Sequence, residues 1–216
     1  MKNRKVLWLF IISITILFSA GCAGVPVRDA FKVDMSVPVG KIEGKEFTGI
    51  RYPFKVAAPA NWEIATEFPK FMIDLGYEKE GLEESQVFIF NPVTQSNLQI
   101  DFTPAGRYAK FDQKIMEALV SSITADFRDE VEKDMGKGTP IVFGPTETVS
   151  LKGVQYAAKK YAIYQAKGVK REQGWIYAFS EPYQMFILYM ILEKEGVNDL
   201  QAIQAILDSF AYTPTK

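Results

Sequence analysis

The 216-residue chain is 48% hydrophobic and 13% aromatic, which supplies the apolar material for one sizeable core and sets it apart from disordered sequences. Its 25 basic and 26 acidic side chains balance, giving no electrostatic reason to expect a nucleic-acid partner. With no histidine and one cysteine, it has no imidazole base, no Ser-His-Asp or Cys-His nucleophile, no zinc site of His or paired Cys, and no intramolecular disulfide.

The first element in chain order is a targeting segment. Lys2, Arg4 and Lys5 precede an apolar run over residues 6–20, in which Ser13, Thr15 and Ser19 are the polar members. A membrane-spanning helix needs about 20 apolar residues, and a secretory core needs roughly 7–15 followed by small residues, so this run fits export better. Its end, Ser19-Ala20-Gly21-Cys22, resembles the cleavage box of bacterial lipoproteins, with Ser19 standing where that family prefers Leu. The resemblance implies that residues 1–21 are removed and that Cys22 becomes the acylated first residue, the lipid attachment site. The alternatives are a retained N-terminal anchor, or an ordinary signal peptide cut near Ala20 with Cys22 incidental. Ala23 after the cysteine implies, by the same resemblance, sorting to the outer membrane, with the folded part facing the periplasm. Cleavage would remove three basic and no acidic residues, taking the net charge from −1 to −4. A mildly acidic domain has no pull toward anionic lipid and should stand off on its tether.

Residues 22–46 mix Pro26, Pro38, Gly40 and Gly44 with charges and read as a linker, of which the alternating residues 31–37 could lie on the domain as a strand. The domain is placed at residues 47–216. A strand over 54–58 runs into Pro59. Residues 86–91 and 98–102, around a turn-rich loop, predict a β-hairpin whose second arm alternates Leu98, Ile100 and Phe102 with Gln99 and Asp101. Further strands are expected over 146–151, 155–166, 172–180 and 183–192, joined so tightly that neighbours must run antiparallel. The last two are apolar at nearly every position around 175–179 and 185–192, the pattern of strands buried on both faces.

Two amphipathic helices complete the set. Residues 112–135 carry Ile115, Met116, Leu119, Val120, Ile123, Phe127 and Val131 on one stripe, with Asp112 as N-cap and Gly136 past the end. Residues 198–210 carry Leu200, Ile203, Leu207 and Phe210, with Asn198 as cap. The expectation is an α+β domain: a three-layer α-β-α sandwich around a mainly antiparallel sheet, one helix on each face. The entry strand Tyr52-Pro53-Phe54-Lys55-Val56 with Pro59 and Trp62, and the terminal segment 203–212 with Phe210 and Tyr212, resemble the PsbP-like fold. That fold is shared by the photosystem subunit PsbP, a Ran-binding nuclear import factor and small bacterial lipoproteins. The resemblance spans residues 52–212 and implies a module that acts by docking, without catalysis.

Candidate chemistry is sparse. Asp126, Asp129, Glu130, Glu132 and Asp134 crowd the long helix but fall outside its apolar stripe, as a solvated face does; acid-base work or calcium binding is the sharper alternative. Residues 78–84 hold four acids without EF-hand spacing and read as an exposed loop. Lys167, Lys170 and Arg171 gather at one hairpin tip, either to keep the sheet soluble or to meet lipid head groups, peptidoglycan or an acidic protein. Tyr156, Tyr161, Tyr164, Trp175, Tyr177 and Tyr183 either fill the core or line a shallow aromatic cleft. No catalytic, cofactor-binding or metal-ligating residue is singled out, and no cofactor is expected. The function expected is a lipid-anchored, non-catalytic binding or assembly module engaging an envelope protein or polymer; the alternative is a periplasm-facing carrier with a small ligand in the aromatic cleft.

Overall fold

The structure is a computed structural model that describes residues 33–74, 87–106, 110–193 and 199–213. Phe31–Ala105 and Phe111–Lys216 form one compact unit; the other grouping, Met1–Ala30 with Gly106–Lys110, lies almost wholly outside the described residues. So do the expected signal peptide, Cys22, the acidic segment 78–84 and the Asn198 cap.

Two antiparallel sheets make up most of the unit. The larger runs β4 (Glu63–Ala65), β5 (Val87–Phe90), β6 (Asn97–Pro104), β11 (Tyr183–Leu192), β10 (Val169–Ser180), β9 (Tyr156–Ala166) and β7 (Ile141–Phe143), with β8 (Glu147–Thr148) also paired to β9. The smaller runs β1 (Gly40–Glu43), β2 (Glu46–Gly49), β3 (Phe54–Ala57) and β12 (Ala211–Tyr212). The predicted hairpin is β5–β6, with Val87 opposite Ile100, and the later strands follow as an antiparallel run. Lys167 and Gly168 join β9 to β10 with φ of 51° and 79°, the paired positive angles of the tight hairpin turn that suits strand twist. β1 lies inside the stretch read as linker, so the folded part begins upstream of residue 47, by Gly40 at the latest.

One helix, α2 (Gln113–Met135), lies over β9 and β10, after the short α1 (Lys70–Asp74). The Asp112 carboxylate accepts the Ile115 amide at 2.9 Å, and Gly136 ends the helix at φ 108°, both as the sequence foretold. Met116, Val120, Phe127 and Val131 are buried against a strand face whose Ala158 and Ala162 are small enough to let the helix approach. Replacing Asp112 by Ala should cost about 1 kcal/mol of unfolding free energy, measured by urea titration, because the first turn then has an orphan donor.

The opposite face departs from the simple layering. There α3 (Asp199–Ser209) shares the cover with the small sheet: Phe47, Phe54, Val56, Ile203, Ile206, Phe210 and Tyr212 pack in one cluster with Leu98, Ile100, Phe102, Ile176 and Ile187. The reason is width. Seven strands at about 4.8 Å spacing make a sheet of roughly 29 Å, and one helix of about 10 Å cannot hide it. The α3 stripe is also turned from the one expected, with Ile206 fully buried and Leu200 52% exposed. α1 covers the far end of the α2 side, where Phe71 and Phe68 meet Phe90 and Phe88. Between α1 and α2 the outer residues of β11, Phe186, Leu188 and Met190, are only half-buried, so that strand is sealed on one face rather than two.

The entry strand and the terminal segment meet in an aromatic stack. Ring centroids of Tyr52 and Phe102, Phe102 and Phe54, and Phe54 and Phe210 are 5.3, 4.6 and 5.7 Å apart. The apparently unrelated aromatic signatures of residues 52–64 and 203–212 are thus two halves of one packing unit.

Candidate functional site

On the face shared with α3, residues of that helix and of β8, β9, β10 and β11 line a cleft of about 230 Å³. Its floor is three strands wide. Gly174 in the middle of β10 stands directly opposite Tyr161 of β9 on one side and Tyr189 of β11 on the other. A Cβ at position 174 would lie 2.1 Å from a Tyr189 ring carbon, and one at Gly144 2.3 Å from the Tyr161 ring, so each aromatic lies over a glycine. Glycine inside a strand weakens it, and its usual reason is the close approach of another group.

The walls are polar on one side and apolar on the other. Glu147 of β8 and Lys159 of β9, cross-strand partners, form an ion pair at 3.0 Å. The Tyr189 hydroxyl donates to the Glu172 carboxylate at 3.0 Å. Burial first, and then the charge of Glu172, push the Tyr189 phenol far up from its ordinary pKa, so it remains a neutral donor. Facing these are Leu200, Ile203, Gln204 and Leu207 of α3.

Tyrosine burial has a pH consequence. Desolvation raises Tyr183 from 10.0 to about 12, and Tyr189 is raised as well. A folded state that holds its phenol protons more tightly than the unfolded chain contributes this stability in full below pH 10 and loses it as pH rises through the folded values. Thermal melts should therefore show a falling midpoint between pH 10 and 12, and Tyr183→Phe should flatten that fall.

The six aromatics singled out in the sequence do not converge. Tyr161 lines the cleft; Tyr164 and Trp175 are buried beneath α2, Tyr183 packs among Tyr52, Phe102 and Tyr212, and Tyr177 sits against Phe186 on the outer face. Tyr156 is 37% exposed, stacked on Phe179. Of the broad aromatic cleft of the carrier reading, Tyr161 is the member that remains, with Tyr189 beside it. Glu147, Lys159, Glu172, Tyr189 and Gln204 were missed; Gly174, inside an otherwise regular strand, was the signal that could have found the floor.

The helix carboxylates point outward: Asp126, Asp129, Glu130 and Asp134 are exposed, and Glu132 is half-buried. Among the described residues no group of three acids or cysteines is placed to hold a metal ion. At the hairpin tip Lys170 pairs with Glu193 at 2.9 Å. Among the described residues no helix is long and apolar enough to cross a membrane.

No protein-family model matches the chain, and no curated protein sequence matches it significantly. Solved structures do. The cyanobacterial PsbP (CyanoP) of Synechocystis sp. PCC 6803 aligns with a TM-score of 0.52 at 11% identity, over 82% of this chain and 100% of its own. LpqN, involved in cell envelope biogenesis of Mycobacterium tuberculosis, gives 0.47 at 14% identity over 75% and 84%. A protein of Bacteroides thetaiotaomicron gives 0.45 at 11% identity; the match takes in 80% of this chain and spans half the length of that one, 50%. The first of these likenesses shows the fold: mostly antiparallel sheets with few helices, arranged as in PsbP.

Proposed function

We propose that the protein is a binding or assembly module of the bacterial cell envelope, held by an acylated Cys22 and acting by docking rather than by catalysis. The single observation that carries this reading is the lipoprotein-like Ser19-Ala20-Gly21-Cys22 ahead of a PsbP-like domain. One acyl chain gives marginal membrane binding and two hold stably, so a lipoprotein cysteine is a lasting anchor. Ala23 supports an outer-membrane address with the domain in the periplasm, and the net charge of about −4 after cleavage supports a domain that stands off the lipid.

The character of the cleft supports docking over chemistry. Its charged groups each have a partner, Glu147 with Lys159 and Glu172 with Tyr189, and a phenol held neutral by burial is a poor proton carrier near pH 7. At about 230 Å³ it is also smaller than the roughly 300 Å³ at which drug-sized ligands become enclosed. That favours contact with part of a larger envelope protein or polymer over carriage of a free ligand.

Anchoring has a direct test. Intact-mass analysis of the protein from a two-membrane bacterium should show residues 1–21 gone and acyl mass on Cys22, with the protein in the outer-membrane fraction. Cys22→Ser should leave it unacylated and absent from that fraction. An acyl-free wild type, or one resident in the inner membrane, would refute the respective part of the reading. Photo-crosslinking in intact cells should then capture a discrete envelope partner.

A further inference from the structure

We propose that the cleft beside α3 is a subsite for one ring of a neutral glycan, a deepening that rests on the envelope-docking reading above. Three features carry it. The first is construction: the missing side chains of Gly174 and Gly144 make room for the rings of Tyr189 and Tyr161, which lie on adjacent strands across Gly174 and together form the floor.

The second is the distribution of polarity. A pyranose ring has apolar C–H faces and an equator of hydroxyls, each able to donate and accept. The cleft offers matching groups: Leu200, 52% exposed, and the Tyr161 ring as apolar surface, with Lys159, Glu172 and Gln204 around them. Tyr189 occupies one position on a carboxylate that accepts at about four, so Glu172 can still receive hydroxyls. Lys159 likewise has three donors, of which the Glu147 pairing takes one.

The third is charge and size. Two carboxylates against one ammonium give the cleft a net negative charge, which opposes phosphorylated or uronic-acid sugars and admits neutral ones. A volume of about 230 Å³ suits a single ring, entered from the side by a longer chain.

The test is saturation-transfer NMR on the mature acylated protein in detergent micelles, with three probes: a trimer of N-acetylglucosamine, maltotriose, and an oligogalacturonate trimer as the anionic counterpart. At least one neutral trimer should receive saturation and the anionic one should not. Tyr161→Ala and Gln204→Trp should each reduce the transfer at least fivefold, while Lys133→Ala on the far side of the sheet leaves it unchanged. Gln204 is exposed on α3, so the tryptophan fills the cleft without removing a packed group and serves even where Tyr161→Ala unfolds the domain. Transfer to none of the neutral trimers, preference for the anionic one, or full transfer in Gln204→Trp would each overturn the subsite. Should these fail while Cys22 is still acylated and an envelope protein is still crosslinked, the subsite falls and the docking reading stands.

Discussion

Replacing Trp175 by alanine is expected to lower the unfolding free energy by about 3–5 kcal/mol, the range for deleting a buried large aromatic. Trp175 is 1% exposed, its ring lies 5.3 Å from that of Phe127, and its indole N–H donates to the Val120 carbonyl at 2.7 Å. The contact therefore joins β10 to α2 both by packing and by a hydrogen bond. Against a total stability of about 5–15 kcal/mol the loss is large, and for a domain of this size it corresponds to a fall of roughly 10 °C in Tm. Trp175→Phe separates the two contributions, because it keeps much of the apolar volume and removes the donor, and should cost only about 1–2 kcal/mol. Urea unfolding monitored by circular dichroism gives both numbers. An alanine variant less than about 1.5 kcal/mol weaker would mean that α2 is not seated on β10 as described.

Gly174→Ala should be destabilising by about 1–3 kcal/mol, against the ordinary expectation for a strand interior. Exchanging glycine for alanine normally gains about 0.5–1 kcal/mol through the unfolded chain. Here the added methyl would lie 2.1 Å from a ring carbon of Tyr189, which is 4% exposed and tied to Glu172, so the clash exceeds the entropic gain. The sign should reverse when the obstacle is removed: in a Tyr189→Ala background, Gly174→Ala should be neutral or slightly stabilising. Such a double-mutant cycle isolates the contact between the two positions, and additive effects would sink the explanation.

The parts of the fold that could be read from sequence were those with a sustained period. The long helix was legible with its Asp112 cap and Gly136 stop because cap chemistry and a seven-residue stripe agree. The β5–β6 hairpin and the β9–β10–β11 run were legible because their joints leave room only for antiparallel return. The small sheet was not: β1, β2 and β12 are two to four residues long, too short to show alternation, and β12 takes its form from β3 on one side and Lys152 on the other. The exposed side of β11 was misread for a related reason, since a run of apolar residues says what a strand tolerates and not what covers it. At the cleft, Tyr161 was picked out but grouped with four aromatics of the opposite face and with Tyr183, which shares its face six residues along β11 from Tyr189. Which face a residue takes follows from register, and in β9 and β10 register is set by the Lys167-Gly168 turn rather than by any property of the tyrosines.

The short strand β12 governs when the domain can become whole. Tyr212 pairs with Phe54, Ala211 with Lys55, and the Ser209 hydroxyl bonds Ala57 across 152 residues of chain. A polypeptide leaves the ribosome N-terminus first, so β3 emerges long before the segment that completes its sheet. Until then β3 has an unpaired edge, and Phe54 lacks its Phe210 neighbour. Contacts this distant are slow to form because loop closure precedes them. A chain still threading outward is thus kept from closing prematurely by the lateness of its own last turn, a favourable property in any polypeptide that must cross a membrane before it packs.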